Sequence, residues 1–135
     1  MPDERLRWAL FILRASLAAF FAIWALEKFV DPESTIGIWE HFYHVENLPK
    51  VMSYAIGIVQ STAIACFILG VAKFWSYGFL MIIHGMSTLS TYERLFDPYA
   101  GNNHLFWAAV PTLGALIALF LLREADTKLT LASGK

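Results

Sequence analysis

Four apolar stretches, residues 8–26, 51–72, 74–92 and 105–122, carry one formal charge between them, Arg14. A helix rises about 1.5 Å per residue and the hydrocarbon of a bilayer is about 30 Å thick, so about 20 residues suffice to cross it. Each stretch approaches or reaches that length. A soluble domain of ordinary composition has about a quarter of its residues charged, whereas 16% of these 135 are charged and 58% are hydrophobic. Disorder, a collagenous repeat, a disulfide scaffold and a basic nucleic-acid-binding face are therefore excluded as organising principles.

Only Lys73 interrupts residues 51–92. One helix over that range would run about 63 Å, twice the membrane thickness, so the chain must turn there. Gly70, Lys73, Ser76 and Gly78 supply weak helix formers and an interfacial charge for a tight hairpin. The expected fold is all-α: a membrane four-helix bundle forming one integral domain over residues 1–135, with spans at about 8–27, 51–72, 74–92 and 104–122. Trp8 and Trp75 fall at one rim, with Trp24, Trp39 and Trp107 at or near the other, as an aromatic belt requires.

Charge asymmetry sets the expected orientation. Arg5, Arg7, Lys73, Arg123, Lys128 and Lys135 lie on the side of the termini and the 72–74 turn; only Lys28, Lys50 and Arg94 lie opposite, among seven carboxylates. The positive-inside rule then puts both termini in the cytoplasm. Arg14 interrupts the apolar run that a cleaved signal peptide would need, and reads instead as an anchor reaching the inner headgroups. The single cysteine, Cys66, excludes dithiol chemistry within the chain.

Between the first two spans, Asp31-Pro32-Glu33 has the form of a cap, a proline at the first helical position and an acid in the first turn. From there to about residue 48, Ile38, Trp39, Phe42 and Val45 share one face, and Glu40, His41 and His44 another. This segment, about 32–48, is expected to be an amphipathic helix in the first extracytoplasmic loop. Small residues at helical intervals, such as Ala15, Ala18, Ala22 and Ala25 in the first span, favour close helix packing.

Polar residues at membrane depth carry the functional signal. Gln60 and His84 both fall near a span midpoint. Ser53, Gly57, Gln60 and Ser61 form one stripe, and Tyr77, His84, Thr88 and Thr91 another. Facing lipid is costly for such groups, so the stripes are expected to face the bundle interior, either gluing helices by hydrogen bonds or lining a pocket that opens outward. A second possibility uses His41, His44, His104 and Glu93, which fall in the outer half or outside and whose donor types suit a metal. Their spacing matches no metal motif, and His84 lies about 12 Å deeper than His104, which disfavours a bis-histidine haem.

The run Trp24-Ala-Leu-Glu-Lys-Phe-Val-Asp-Pro32, the trio Gly57, Gln60 and Gly70, and His104-Leu-Phe-Trp-Ala-Ala-Val-Pro111 resemble the DoxX-like membrane proteins over about residues 8–124. Ala25 and Leu26 stand where many members have glycine. The resemblance implies a component of the bacterial inner membrane associated with oxidoreductases, with Lys28 and Gln60 as the positions that carry over. With His84 from the depth argument, and Ser53 and Thr88 from the stripes, it suggests a pocket for a quinone headgroup or similar lipophilic ligand. No haem, flavin or iron–sulfur motif is visible, so an accessory subunit with a protein partner, or a homo-oligomer, is a better expectation than a self-sufficient enzyme. The alternatives are an extracytoplasmic metal-handling protein and a structural membrane anchor for a partner.

Overall fold

The structure, a computed structural model, describes residues 4–131, and among these it is helical with no strand. The helices are α1 (Glu4–Val30), α2 (Pro32–Tyr43), α3 (Lys50–Leu69), α4 (Lys73–Ser90), the short α5 (Tyr92–Leu95) and α6 (Ala109–Leu121); a 3-10 turn, Asn103–Ala108, leads into α6. Helix α1 packs on α3, α3 on α4, α4 on α6, and α6 back on α1; α2 lies against α1 and α3. Leu10, Leu17, Ala18, Phe67, Tyr77, Leu80, Leu116 and Leu119 form the shared core.

Glu4–Val30, Lys50–Leu69 and Asn103–Leu121 are long and apolar enough to cross a membrane. Their apolar surface stays outside: Ile12, Ile23, Ile58, Val59 and Leu121 are all exposed, as expected where lipid rather than protein covers a helix. Helix α4 differs. It has 18 residues and buries Lys73, Ser76, Tyr77, His84 and Thr88 along one face, so the polar residues that dilute its hydropathy are directed inward.

The 3.6-residue period and the breakers account for most boundaries. Pro32 occupies the first turn of α2, as Asp31-Pro32 suggests, but the Asp31 side chain makes no capping bond. The helix then stops at Tyr43, short of residue 48, because His44 turns into the left-handed region with φ 59°. Within α2 the exposed residues include Glu40 and His41, while Ile38, Trp39 and Phe42 are half-buried. The fourth apolar stretch begins as a 3-10 turn, and Asn102 before it makes no side-chain cap.

The α3–α4 hairpin forms where Lys73 interrupts the apolar run. Gly70 and Ala72 take φ 68° and φ 48°, while Ser76 and Gly78 continue inside α4 rather than in the turn. A helix end leaves its last four carbonyls without intrahelical donors, and here all four of α3 are met. Gly70 N–H donates to Phe67 O and Val71 N–H to Cys66 O, the crossed pair of a Schellman motif. The Arg14 Nε reaches Ile68 O at 3.1 Å, and Leu131 N–H reaches Leu69 O at 2.8 Å. Two of the four partners thus come from distant parts of the chain.

Two glycines mark close approaches. A Cβ at Gly57 would stand 2.8 Å from the Phe29 ring and 2.9 Å from Lys28 Cβ, where α1 meets α3. A Cβ at Gly70 would stand 2.5 Å from Thr130 Cγ2, and its positive φ is unfavourable for any residue with a Cβ. Gly70→Ala is therefore expected to destabilise the protein by about 1–3 kcal/mol, seen as a lowered midpoint of thermal unfolding in detergent; an unchanged midpoint contradicts the tight turn.

Candidate functional site

At mid-height Ser53, Gly57, Tyr77, His84 and Thr88 of the polar stripes are buried while Gln60, Ser61 and Thr91 are half-buried, and Ser53, His84 and Thr88 each bond a backbone carbonyl. His84 is 9% exposed. Its Nε2 lies 2.9 Å from Ala109 O, and since a carbonyl only accepts, Nε2 carries the hydrogen. The ring packs edge-on against Phe20 and Phe21, with centroids 6.4 and 5.4 Å away. His84 thereby ties α4 to both α6 and α1. Thr88 Oγ1 donates to His84 O at 2.7 Å within α4. Ser53 Oγ donates to Lys28 O at 2.9 Å and fastens α3 to the end of α1, while Lys28 Nζ donates to Trp24 O at 3.3 Å. Gln60 is half-buried on α3.

Next to Gln60 in the chain lies a groove of about 240 Å³ between α1 and α3, lined by Ala22, Ala25, Leu26, Ser61, Ile64 and Ala65. Small side chains from both helices leave the space, and exposed Leu26 and Ala65 put it on the outer surface of the helices. Its walls are apolar apart from Ser61. Gln60 precedes Ser61 and sits one helical turn before Ile64, but neither Gln60 nor His84 is among the lining residues.

At the end of the molecule formed by α2, α5 and the 3-10 turn, Arg94 is the organiser. Its Nη1 donates to Asn103 Oδ1 at 3.1 Å and its Nη2 to His41 Nε2 at 3.4 Å. The guanidinium also lies over the rings of Phe42 and Phe106, at 5.8 and 5.4 Å. Trp107 Nε1 donates to Leu95 O. Among the described residues no three His, Cys, Asp or Glu side chains gather as a metal-ligand group, and His41 is engaged by Arg94 while His44, His104 and Glu93 stand apart from that contact. No ion pair joins Glu27-Lys28 to Glu93-Arg94 among the described residues. The exposed Glu33 carboxyl pairs with Lys50 at 3.0 Å, and this hydrogen bond holds it below the usual carboxylate range.

The opposite end holds the most highly charged interior of the protein, and it involves a residue that sequence reasoning did not single out. Asp126, Arg14 and Lys73 are all fully buried, at 0% exposure. After α6 the chain turns back beneath the helices and inserts Asp126 between α1 and α4. Arg14 Nη1 meets Asp126 Oδ1 at 2.5 Å, and Tyr77 O–H donates to Oδ2 at 2.6 Å. Lys73 Nζ donates to the backbone carbonyl of Asp126. Arg14 Nη2 further donates to Lys128 O at 2.5 Å. Arg14 is thus a buried ion-pair residue and not a snorkelling anchor. The anchor reading failed because it treated the first span alone, and the partner lies 112 positions away in a segment that reads as a polar tail.

Around this pair the returning segment is fastened at its edges. Arg7 Nε donates to Thr127 Oγ1 at 3.1 Å, and Lys128 pairs with Glu4 at 3.2 Å while lying 4.6 Å over the Trp8 ring. The signal for it in the sequence is Asp126 itself, a carboxylate three residues past an arginine-terminated apolar helix, with Arg14 in need of a counter-ion.

No protein-family model matches the chain, and comparisons with curated proteins and with solved structures find no match. The physical reading of the site therefore stands on the geometry. Removing the Tyr77 hydroxyl leaves a buried carboxylate oxygen without its donor, so Tyr77→Phe is expected to cost about 1.5–3 kcal/mol. Denaturant unfolding followed by tryptophan fluorescence measures this; a cost below about 0.5 kcal/mol contradicts a dry, fully bonded Asp126.

Proposed function

We propose that this chain is a DoxX-like, multi-pass protein of the bacterial inner membrane, with four crossing helices and both termini in the cytoplasm. In this reading α4 crosses as the fourth helix. The support for that is physical: its polar residues are directed inward, and an 18-residue helix is about 27 Å long, close to the hydrocarbon thickness. Helix α2 lies along the outer surface of the bilayer, with Glu40 and His41 toward water. The basic residues of the termini and the 72–74 turn support the orientation.

Its function in this proposal is to hold a quinone or similar lipophilic ligand, as an accessory subunit of a membrane oxidoreductase. The observation that carries the reading is the apolar α1–α3 groove, with half-buried Gln60 next in the chain to its lining residue Ser61. At about 240 Å³ the groove is smaller than the roughly 300–1,000 Å³ of sites that enclose a whole drug-sized ligand. It suits a ring or a chain segment delivered sideways from the bilayer. The Gln60 amide can donate to a quinone carbonyl. His84, whose Nε2 is committed to Ala109 O, lies outside the groove lining and serves in this reading as helix glue. Electrons would have to come from a partner protein, since the chain's own side chains supply no redox centre.

The test is equilibrium binding of a short-chain quinone to the purified protein in nanodiscs. Ser61→Phe fills the groove without touching the buried charges, and it is expected to weaken binding at least about tenfold. Unchanged binding in a folded Ser61→Phe variant, or none in the native protein, overturns the proposal.

A further inference from the structure

The buried charges near Asp126 do not balance. With both side chains protonated, Arg14 and Lys73 contribute two positive charges, both at 0% exposure, and Asp126 supplies one negative charge. Moreover, among the described residues the Asp126 carboxylate is bound by Arg14 and Tyr77, while Lys73 is held by the backbone carbonyl of the same residue. A carbonyl dipole is a weak substitute for a counter-ion, and a buried cation without one carries a large desolvation cost. The site is therefore built for more negative charge than its present occupant brings.

That occupant is also separable from the helices. Arg14, Lys73 and Tyr77 stand on α1 and α4, whereas Asp126 belongs to the segment after α6, which is turn and coil from residue 122 to 131. Its buried bonds, from Arg14, Lys73 and Tyr77 to Asp126, are made to the same three side chains that a bound oxyanion would engage; Ala125 packs against the core, and the edges are held by Lys128 to Glu4, Arg7 to Thr127, and Leu131 N–H to Leu69 O. The segment contains no helix of its own, so its release would open the guanidinium, ammonium and phenol to one space.

We propose that Arg14, Lys73 and Tyr77 form an oxyanion-binding site for a phosphate monoester, and that Asp126 is its tethered internal occupant. A guanidinium binds phosphate oxygens bidentately and an ammonium adds a point charge, while the phenol donates a third hydrogen bond. A phosphate monoester carries close to two negative charges at neutral pH, which matches the two buried cations where one carboxylate does not. The chemistry fits two sources: the headgroup of a monoester lipid such as phosphatidate, or a soluble phosphate. The proposal is independent of the quinone reading, since it concerns the other end of the molecule and none of the groove residues.

The experiment uses the full-length protein. Asp126→Ala removes the internal occupant, and inorganic phosphate is expected to raise its thermal midpoint at concentrations at least about tenfold lower than any that move the native protein; Arg14→Gln added to Asp126→Ala abolishes the response. Nanodiscs with phosphatidate, compared with phosphatidylcholine alone, distinguish the sources: stabilisation by the lipid but not by phosphate assigns a headgroup, and stabilisation by phosphate in detergent assigns a soluble ligand. A folded Asp126→Ala variant indifferent to both overturns the proposal, as does an equal response in the Arg14→Gln double variant. The native protein gives an arm that needs no substitution. Occupancy displaces the segment, so trypsin cleavage after Lys128 is expected to accelerate with phosphate or phosphatidate; if Asp126→Ala does not fold, unchanged protection with both probes overturns the proposal on its own.

Discussion

The pairing of Arg14 with Asp126 is the constraint on which one whole end of this protein depends. A guanidinium sealed in the interior is tolerable only with a counter-ion and a full set of acceptors. Arg14 obtains both by drawing two distant parts of the chain to α1: the end of α3, through the Ile68 carbonyl, and the returning segment, through the Asp126 carboxylate and the Lys128 carbonyl. Tyr77 completes the carboxylate from α4. Arg14 on Ile68 O, together with Leu131 N–H on Leu69 O, finishes the α3 terminus, whose last two carbonyls have no local donors, so helix capping and charge neutralisation involve the same returning segment. In a low-dielectric surrounding these interactions are strong, and leaving any one unmade is correspondingly costly.

The two ends of the molecule solve the same problem by different means. Near Asp126 the polar groups are fully buried and bonded to one another. At the Arg94 end the guanidinium lies between two aromatic rings and makes longer bonds to His41 and Asn103, in a setting that stays partly exposed. Between them, the helices are joined by an apolar core and by His84, whose single hydrogen bond to Ala109 and two aromatic neighbours lock α4 to α6 and α1. A polar residue at mid-depth can serve as helix glue, and His84 has that geometry. Gln60 is placed differently, beside a groove made by small residues on two facing helices, and the proposed ligand chemistry rests on it.

Much of the helical layout was legible in the sequence because it follows from local rules. The apolar stretches gave the long helices, Lys73 with Gly70 gave the hairpin, and Pro32 gave the start of α2. The inward direction of Tyr77, His84 and Thr88 followed from their shared face. Positions that depend on backbone reversal were less legible: nothing in the residue type at His44 demands a positive φ, yet that turn ends α2 early. The buried charge cluster left only a weak trace, a carboxylate shortly after the last apolar stretch and an arginine inside the first. Arg14 alone is compatible with snorkelling, Asp126 alone with a solvated tail, and only their juxtaposition across 112 positions shows that each is the reason the other can be buried. Likewise, the stripes predicted burial but not partners, since Ser53 and Thr88 could bond a ligand or a carbonyl and the choice is made by tertiary packing.

The most direct test of this account is a double-mutant cycle on Arg14→Met and Asp126→Leu, with unfolding free energies measured in the same detergent. If the two charges exist in the interior for each other, each single change strands its partner and is expected to cost about 3–5 kcal/mol, while the double change costs no more than either single one. Costs that simply add, or single changes each below about 1 kcal/mol, would contradict the claim that this pair holds the end of the molecule together.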